Sequence, residues 1–262
     1  PGSLALFREL ADEFLERHPG IRYFHMGGDE ARRLGTCPAC EAEAARRGKG
    51  GLYVDFVTRA AAHLLARGVT PILWDDMLCK YPEVIAQMPR EVVIMYWDYW
   101  TTQDPSALFV ARPAGGLGVV ADKTWQGPRL AELGETERKT LQHFARRKDL
   151  ATELPPAFRD RFSSYLGPEY PQRIRAFPYL EYYQDLGFRV IGAPAGGSNT
   201  SVWHGLPDFP RYQDNIRTFC RRLSGAGSLG VVTTAWYSVP PEALMPGLMA
   251  TRAKYGPEKP LQ

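Results

Sequence analysis

One pattern limits the folds open to this chain more than any other. Near-continuous apolar runs recur along it, each preceded by a helix-spaced stretch and each ending in polar or aromatic residues. The runs lie at residues 21–27, 70–74, 91–97, 188–193 and 229–236. Before the first, Leu4, Phe7, Leu10 and Phe14 repeat at helical spacing, with Ser3 placed to cap and His18-Pro19-Gly20 to stop the helix. Residues 52–67 put Leu52, Phe56, Ala60 and Leu64 on one helical face, and Gly68 follows. Shorter helical stretches are expected at 82–88 and 177–187, and Ile216, Phe219, Cys220 and Leu223 mark another. Apolar strands alternating with helices predict an α/β fold, a parallel sheet covered on both faces.

The ends of the runs carry the chemistry. His25 to Glu30, Trp74 to Asp76, Tyr96 to Trp100 and Trp236 all fall at carboxyl ends of predicted strands. In a (β/α)₈ barrel that end carries the active site, and in an open doubly wound sheet it carries the ligand. No GxGxxG or Walker motif is present, so a nucleotide fold gains no support. Residues 101–176 are too long for a connection and predict an insertion with structure of its own, including a charged helix near 135–147.

Composition removes several function classes. With 32 basic and 29 acidic residues, scattered rather than blocked, nothing selects a nucleic-acid partner. No apolar run reaches the roughly 18 residues a membrane span needs. Four cysteines in 262 residues are too few for a disulfide scaffold. Cys37-Pro-Ala-Cys40 has CxxC spacing, but no second pair completes a zinc site. It follows a polar, arginine-rich stretch rather than a strand, so two reduced thiols packing in a loop is the expectation.

Within "HMGGDE", Asp29 and Glu30 stand side by side after two glycines. Adjacent acids in a turn are ordinarily just solvated. The GGDE letters also occur in diguanylate cyclases, but there a Phe follows on a hairpin tip, whereas here Ala31 follows a strand. Side chains of neighbours in a strand point to opposite faces. Gly27 and Gly28 free the backbone, so both acids can turn toward one pocket. Two carboxylates in a small site do not ionise equally, which keeps a general acid available and suits glycosidic cleavage. Any one of Trp74, Trp97 and Trp236 reads most simply as core. Three at equivalent strand ends point to indole walls for a sugar face, with Asp98 and Tyr99 reaching hydroxyls.

The run His25-Met-Gly-Gly-Asp29-Glu30 closely resembles the H-x-G-G-D-E motif of glycoside hydrolase family 20, the β-N-acetylhexosaminidases. "LGTCPAC", "LWDDM" and "MYWDY" look most like its hexosaminidase D branch. The resemblance runs from Ile21 to Trp236 apart from the insertion. It implies a single catalytic domain over residues 1–262, a TIM-type (β/α)₈ barrel of which strands four to eight lie in this chain. It implies retaining, substrate-assisted hydrolysis of terminal β-linked N-acetylhexosamine from glycans or glycoconjugates. Asp29 would orient the 2-acetamido group, whose oxygen attacks the anomeric carbon. Glu30 would act as acid, then base. His25 would support the pair, and Trp74, Trp97 and Trp236 would box the sugar. No cofactor or metal is implied. The branch resemblance and the few cysteines favour the cytoplasm.

Two departures qualify the match. Many family members end the last strand in Trp-x-Glu, where this chain has Trp236-Tyr237-Ser238. The Asp-x-Tyr expected near "GAPAGGSNTSVW" is absent; Tyr99 is the candidate replacement, and gluco against galacto preference stays open. The first three strands, with the family's substrate-gripping Arg, are expected from upstream residues or another polypeptide. Two other readings compete. One is a sugar-binding relative without turnover. The other is a metal-dependent hydrolase using His25, Asp29, Asp75 and Asp76.

Overall fold

The strands Thr70–Trp74 and Val93–Trp97 form where β-branched and aromatic residues cluster, and each is followed by an acid, Asp75 or Asp98. A computed structural model of the chain describes residues 2–112, 118–197, 208–224 and 228–236. It places strands β1 (Tyr23–His25), β2 (Thr70–Trp74), β3 (Val93–Trp97), β7 (Val190–Ala193) and β9 (Gly230–Val231) in one sheet, in the order β1-β2-β3-β7-β9. All the pairings described in it are parallel: β1 on β2, β2 on β3, β7 on β9. Helix α1 (Gly2–Arg17) precedes them, and α2 (Pro38–Leu65), α3 (Asp76–Lys80), α6 (Tyr179–Asp185) and α7 (Phe209–Ser224) run between them. The chain divides into two compact units.

The first unit holds the described residues of Pro1–Met95 with Tyr183–Val190. Its sheet register pairs His25 with Ile72 and Trp74 with Met95. Ile94 N donates to Arg189 O at 2.9 Å, which sets the next neighbour in the sheet. Leu73, Val93 and Ile94 have no exposed surface. Helix α1 packs Ala11 against Leu64 and Val69, with Phe7, Leu15, Phe24 and Met26 around them. Leu10 and Phe14, placed on the inner face by the sequence pattern, are exposed, and Ala11 takes the buried position instead. Ser3 lies inside the first turn, because the helix begins at Gly2.

Helix α2 is longer than the predicted 52–67 and breaks at Gly48, where φ is 75°. Its buried stripe is Tyr53, Val57, Ala60 and Leu64, rotated from the predicted one so that Phe56 faces outward. Cys37 is its N-cap and Cys40 lies in its first turn, so the pair sits on a helix start rather than in a loop. The 82–88 stretch is a 3₁₀ segment, Pro82–Gln87.

The second unit holds the described residues of Tyr96–Tyr182 and Ile191–Gln262. Within residues 101–176 stand α4 (Glu135–His143) and α5 (Pro156–Phe162), and also a three-stranded sheet that the sequence pattern does not announce. Its strands are β4 (Leu108–Ala111), β5 (Gly118–Asp122) and β6 (Arg146–Lys148). Ala107, Leu108, Val110, Ala121, Trp125 and Leu141 form its core. Buried Glu137 accepts a hydrogen bond from Ser106 Oγ at 3.0 Å and another from Ala107 N.

The predicted strand 229–236 is two strands. Pro194, lacking an N–H, interrupts β7, and the chain resumes as β8 (Ala195–Gly197). β9 lies beside β7, and β10 (Thr234–Ala235) beside β8. The Pro194 carbonyl still serves the ladder, accepting from Thr234 N at 2.8 Å. Helix α7 presses on β7 so closely that a Cβ at Gly192 would lie 2.6 Å from both Phe219 and Leu223.

Candidate active site

In the first unit, the parallel ladder carries on past β1: Met26 N donates to Ile72 O and Trp74 N to Gly27 O. Those bonds place His25 against Trp74, ring centroids 4.6 Å apart. Gly27 and Gly28 then take left-handed backbone conformations, φ 71° and 90°. At Gly28 no other residue fits. A Cβ would stand 2.5 Å from Leu73 Cδ1 and 2.9 Å from the Tyr53 hydroxyl. Tyr53 donates that hydroxyl proton to Gly28 O at 2.9 Å. Burial, then the carboxylates of Asp76 and Asp29, push its pKa far upward, so it stays a donor.

Glu30 is also left-handed, φ 41°, a strained setting for a residue with a side chain. Asp76 holds it there: its Oδ2 accepts from Glu30 N at 2.9 Å. The second acid of "WDDM" is thus a backbone clamp on the first acid pair. Asp29 and Glu30 are both exposed, and the Glu30 carboxylate pairs with Arg32 Nη2 at 2.8 Å. With side-chain exposures of 80% for Arg32 and 47% for Glu30, that pair is water-screened and weak.

His25 has a defined proton position. Gly27 N donates to its Nδ1 at 2.9 Å, so a neutral ring carries its proton on Nε2. Burial lowers its pKa and the nearby Asp29 opposes the shift, which favours the neutral ring. The Nε2 atom is buried and has no hydrogen-bond partner. Asp75, the other acid of "WDDM", is wholly buried. Its backbone carbonyl and Oδ2 both lie near the Tyr183 hydroxyl, at 3.2 and 3.3 Å. Among the described residues no group of three or more His, Cys, Asp or Glu side chains is placed to hold a metal.

The second unit holds an aromatic group. Trp97 stacks on Tyr99 with centroids 5.1 Å apart, and Trp236 Nε1 donates to the Tyr99 hydroxyl at 2.8 Å. Arg112 lies beneath. Its guanidinium is buried, donates to Trp97 O, and rests 5.0 Å from the rings of both Tyr96 and Trp97. Asp98 turns inward. Its Oδ1 accepts from Trp100 N and Thr101 N, and its Oδ2 from Thr101 Oγ1. Burial raises its pKa, and the Thr101 and Trp100 hydrogen bonds and the Arg211 charge oppose the rise. At 1% exposure it builds the turn from within, so the hydroxyl contact expected of it has no oxygen facing outward. Helix α7 braces the same turn, Asn215 Nδ2 donating to Thr101 O and Thr218 Oγ1 to Thr102 O.

Tyr53, Asp76 in its clamping role, Arg32 and Arg112 are absent from the sequence-level site. Asp76 had a signal in the paired acids after β2; Tyr53 and Arg112 had none, since both act through folded proximity. Residues 237–238, where the Trp-x-Glu of many family members is replaced by Tyr237-Ser238, lie outside the described residues, as does "GAPAGGSNTSVW" beyond Gly197.

Residues 1–115 match the family described as glycosyl hydrolase family 20, catalytic domain. Over 114 residues, 39% of the chain, it is 36% identical to hexosaminidase D of Bos taurus and 37% identical to that of Homo sapiens. The stretch spans 32% and 22% of those relatives. The fold is that of the crystal structure of β-N-acetylhexosaminidase from Bacteroides fragilis, with a TM-score of 0.50 at 15% identity. That likeness covers 100% of this chain and 42% of the other. The five-stranded parallel sheet is part of a (β/α)₈ barrel.

Proposed function

We propose that this chain carries the acid pair of a retaining, substrate-assisted β-N-acetylhexosaminidase. The observation that carries the reading is the Gly27-Gly28-Asp29-Glu30 turn at the carboxyl end of β1. It is strained and clamped by Asp76, and it lies inside the residues that match the family.

The chemistry follows from what each group can do. A terminal N-acetylhexosamine brings its own nucleophile, the acetamido oxygen, four bonds from the anomeric centre and so placed to close a five-membered ring. Tethering makes that attack worth many orders of magnitude over an external one. Asp29 takes the role of orienting the acetamido N–H and stabilising the positive charge that develops on the amide. Glu30 protonates the departing glycosidic oxygen, then removes a proton from the water that opens the intermediate. Arg32 is surface-exposed and can leave Glu30 as the saccharide displaces solvent. His25, neutral and protonated on Nε2, offers a donor to Asp29 and holds its indole neighbour Trp74 in place. Trp74, Trp97 and Trp236 supply apolar faces for the sugar, and Tyr99 a hydroxyl. Asp98 serves as a positioning residue for the aromatic turn.

The test is hydrolysis of nitrophenyl N-acetyl-β-hexosaminides, gluco and galacto, by the full-length gene product. Glu30→Gln should lower kcat by about 10²–10⁴-fold with unchanged thermal unfolding. An unchanged rate in Glu30→Gln removes the assignment. Binding of N-acetylhexosamine by calorimetry with no hydrolysis at any pH selects the non-catalytic relative instead. The Glu30–Arg32 ion pair, which occupies the proposed acid, is the feature that favours this second reading.

A further inference from the structure

The Cys37/Cys40 pair takes no part in the chemistry above, and its geometry is more specific than two packing thiols. Cys37 occupies the N-cap of α2 in extended conformation, φ −91° and ψ 153°, with Pro38 next. Its Sγ accepts a hydrogen bond from Cys40 N at 3.3 Å. Cys37 is exposed, Cys40 is half-covered, and neither is in a disulfide. The first run of α2, from Pro38 to the break at Gly48, gives the cap about half a unit of positive charge. An exposed sulfur at that position, with a second thiol one turn inward, has the division of labour of an attacking and a resolving cysteine.

We propose that Cys37 and Cys40 form a thiol–disulfide exchange site whose substrates are low-molecular-weight disulfides, Cys37 attacking and Cys40 resolving. Hydrogen bonds from the Cys40 thiol and amide hold the Cys37 thiol below its usual value, and the same contact raises that of Cys40. Of the two sulfurs, the exposed one therefore ionises more readily. In the first step the Cys37 thiolate attacks one sulfur of a disulfide RSSR. A mixed disulfide forms on Cys37 and one RS⁻ leaves, taking up a proton. In the second, the Cys40 sulfur gives up its proton, attacks Cys37 Sγ and expels the second RS⁻. The Cys37–Cys40 bond forms, and two electrons have passed to RSSR, now two RSH. The proposal does not depend on the hydrolase reading.

The experiment treats the reduced protein with glutathione disulfide near neutral pH and follows mass. Wild type should end two hydrogens lighter with no glutathione retained. Cys40→Ser should retain one glutathione, on Cys37. Cys37→Ser should react at Cys40 at least about tenfold more slowly. Serine is itself a good N-cap, so α2 keeps its start in that variant, as circular dichroism will verify. Buried Cys79 and Cys220 serve as unreactive internal standards. The proposal is overturned by equal rates in the two single variants, by wild type holding glutathione on both sulfurs, or by no reaction.

Discussion

The acid turn at residues 27–30 and the aromatic turn at residues 97–101 follow strands of the same sheet but are built on opposite principles. In the acid turn the backbone is strained and pinned by Tyr53 and Asp76, while the carboxylates are exposed. In the aromatic turn the carboxylate of Asp98 is buried and used by the turn's own amides and the Thr101 hydroxyl, and the rings are fixed by Arg112 and by Trp236. The contrast teaches where each can bear change. In the role proposed for it, a group that gains and loses a proton needs solvent around its carboxylate and is positioned through its main chain. A surface that must present a flat face needs no free polar atom, so its polar groups are consumed in holding it still.

The comparison can be broken most forcefully at Gly28. Gly28→Ala adds a Cβ into Leu73 and Tyr53 at a left-handed φ, and should cost about 2–4 kcal/mol in urea unfolding. Gly27→Ala, with only Asp29 Oδ1 at 4.0 Å, should cost about 1 kcal/mol, the strain alone. Equal losses would mean that the close approach at Gly28 is not what shapes the turn. On the aromatic side, Arg112→Met should cost about 2–3 kcal/mol, because a buried cation over Tyr96 and Trp97 leaves with its hydrogen bond to Trp97 O. It should raise KM for a hexosaminide more than it lowers kcat. Removing the indole donor in Trp236→Phe should weaken N-acetylhexosamine binding by about fivefold, and Tyr99→Phe should add little on top, as a double-mutant cycle will read.

The smallest effect expected is in the pH dependence of stability. His25 has a folded pKa below its ordinary 6.5, because burial disfavours the charged ring. The unfolded chain therefore binds its proton first as pH falls. The contribution of His25 is complete above about 6.5 and is lost as pH drops from there through the lower folded value. His25→Gln should flatten that acid limb of the stability curve and leave the region above pH 7 nearly unchanged. A limb of equal steepness in the variant would assign the acid sensitivity to other groups.

Much of this was legible in the sequence, for a physical reason. Strands buried on both faces are apolar without interruption, so Thr70–Trp74 and Val93–Trp97 announce themselves, and glycines at positive φ are visible as "GG". Helix faces were less legible: a small residue, Ala11, took the buried place that Leu10 and Phe14 suggest, because close packing on Leu64 and Val69 rewards fit over bulk. The split of 229–236 follows from Pro194, forty residues upstream of Thr234, and no local pattern reports it. The same holds for Asp98. As a letter it is one acid beside tyrosine and tryptophan; only the fold shows its oxygens turned onto Trp100 and Thr101. Tyr53 and Arg112 act at a distance in sequence from what they hold, 25 residues for Gly28 and 15 for Trp97.

The claim on which the rest turns is that the attacking oxygen belongs to the saccharide's amide. Initial rates for two nitrophenyl β-glycosides, alike except for 2-acetamido against 2-hydroxyl, test it most directly on the full-length gene product. The account predicts a preference of at least about 10³-fold in kcat for the acetamido sugar, the loss expected when a tethered nucleophile is removed. Comparable kcat values for both sugars would contradict it, since a nucleophile from the protein or a water activated by Glu30 would then suffice.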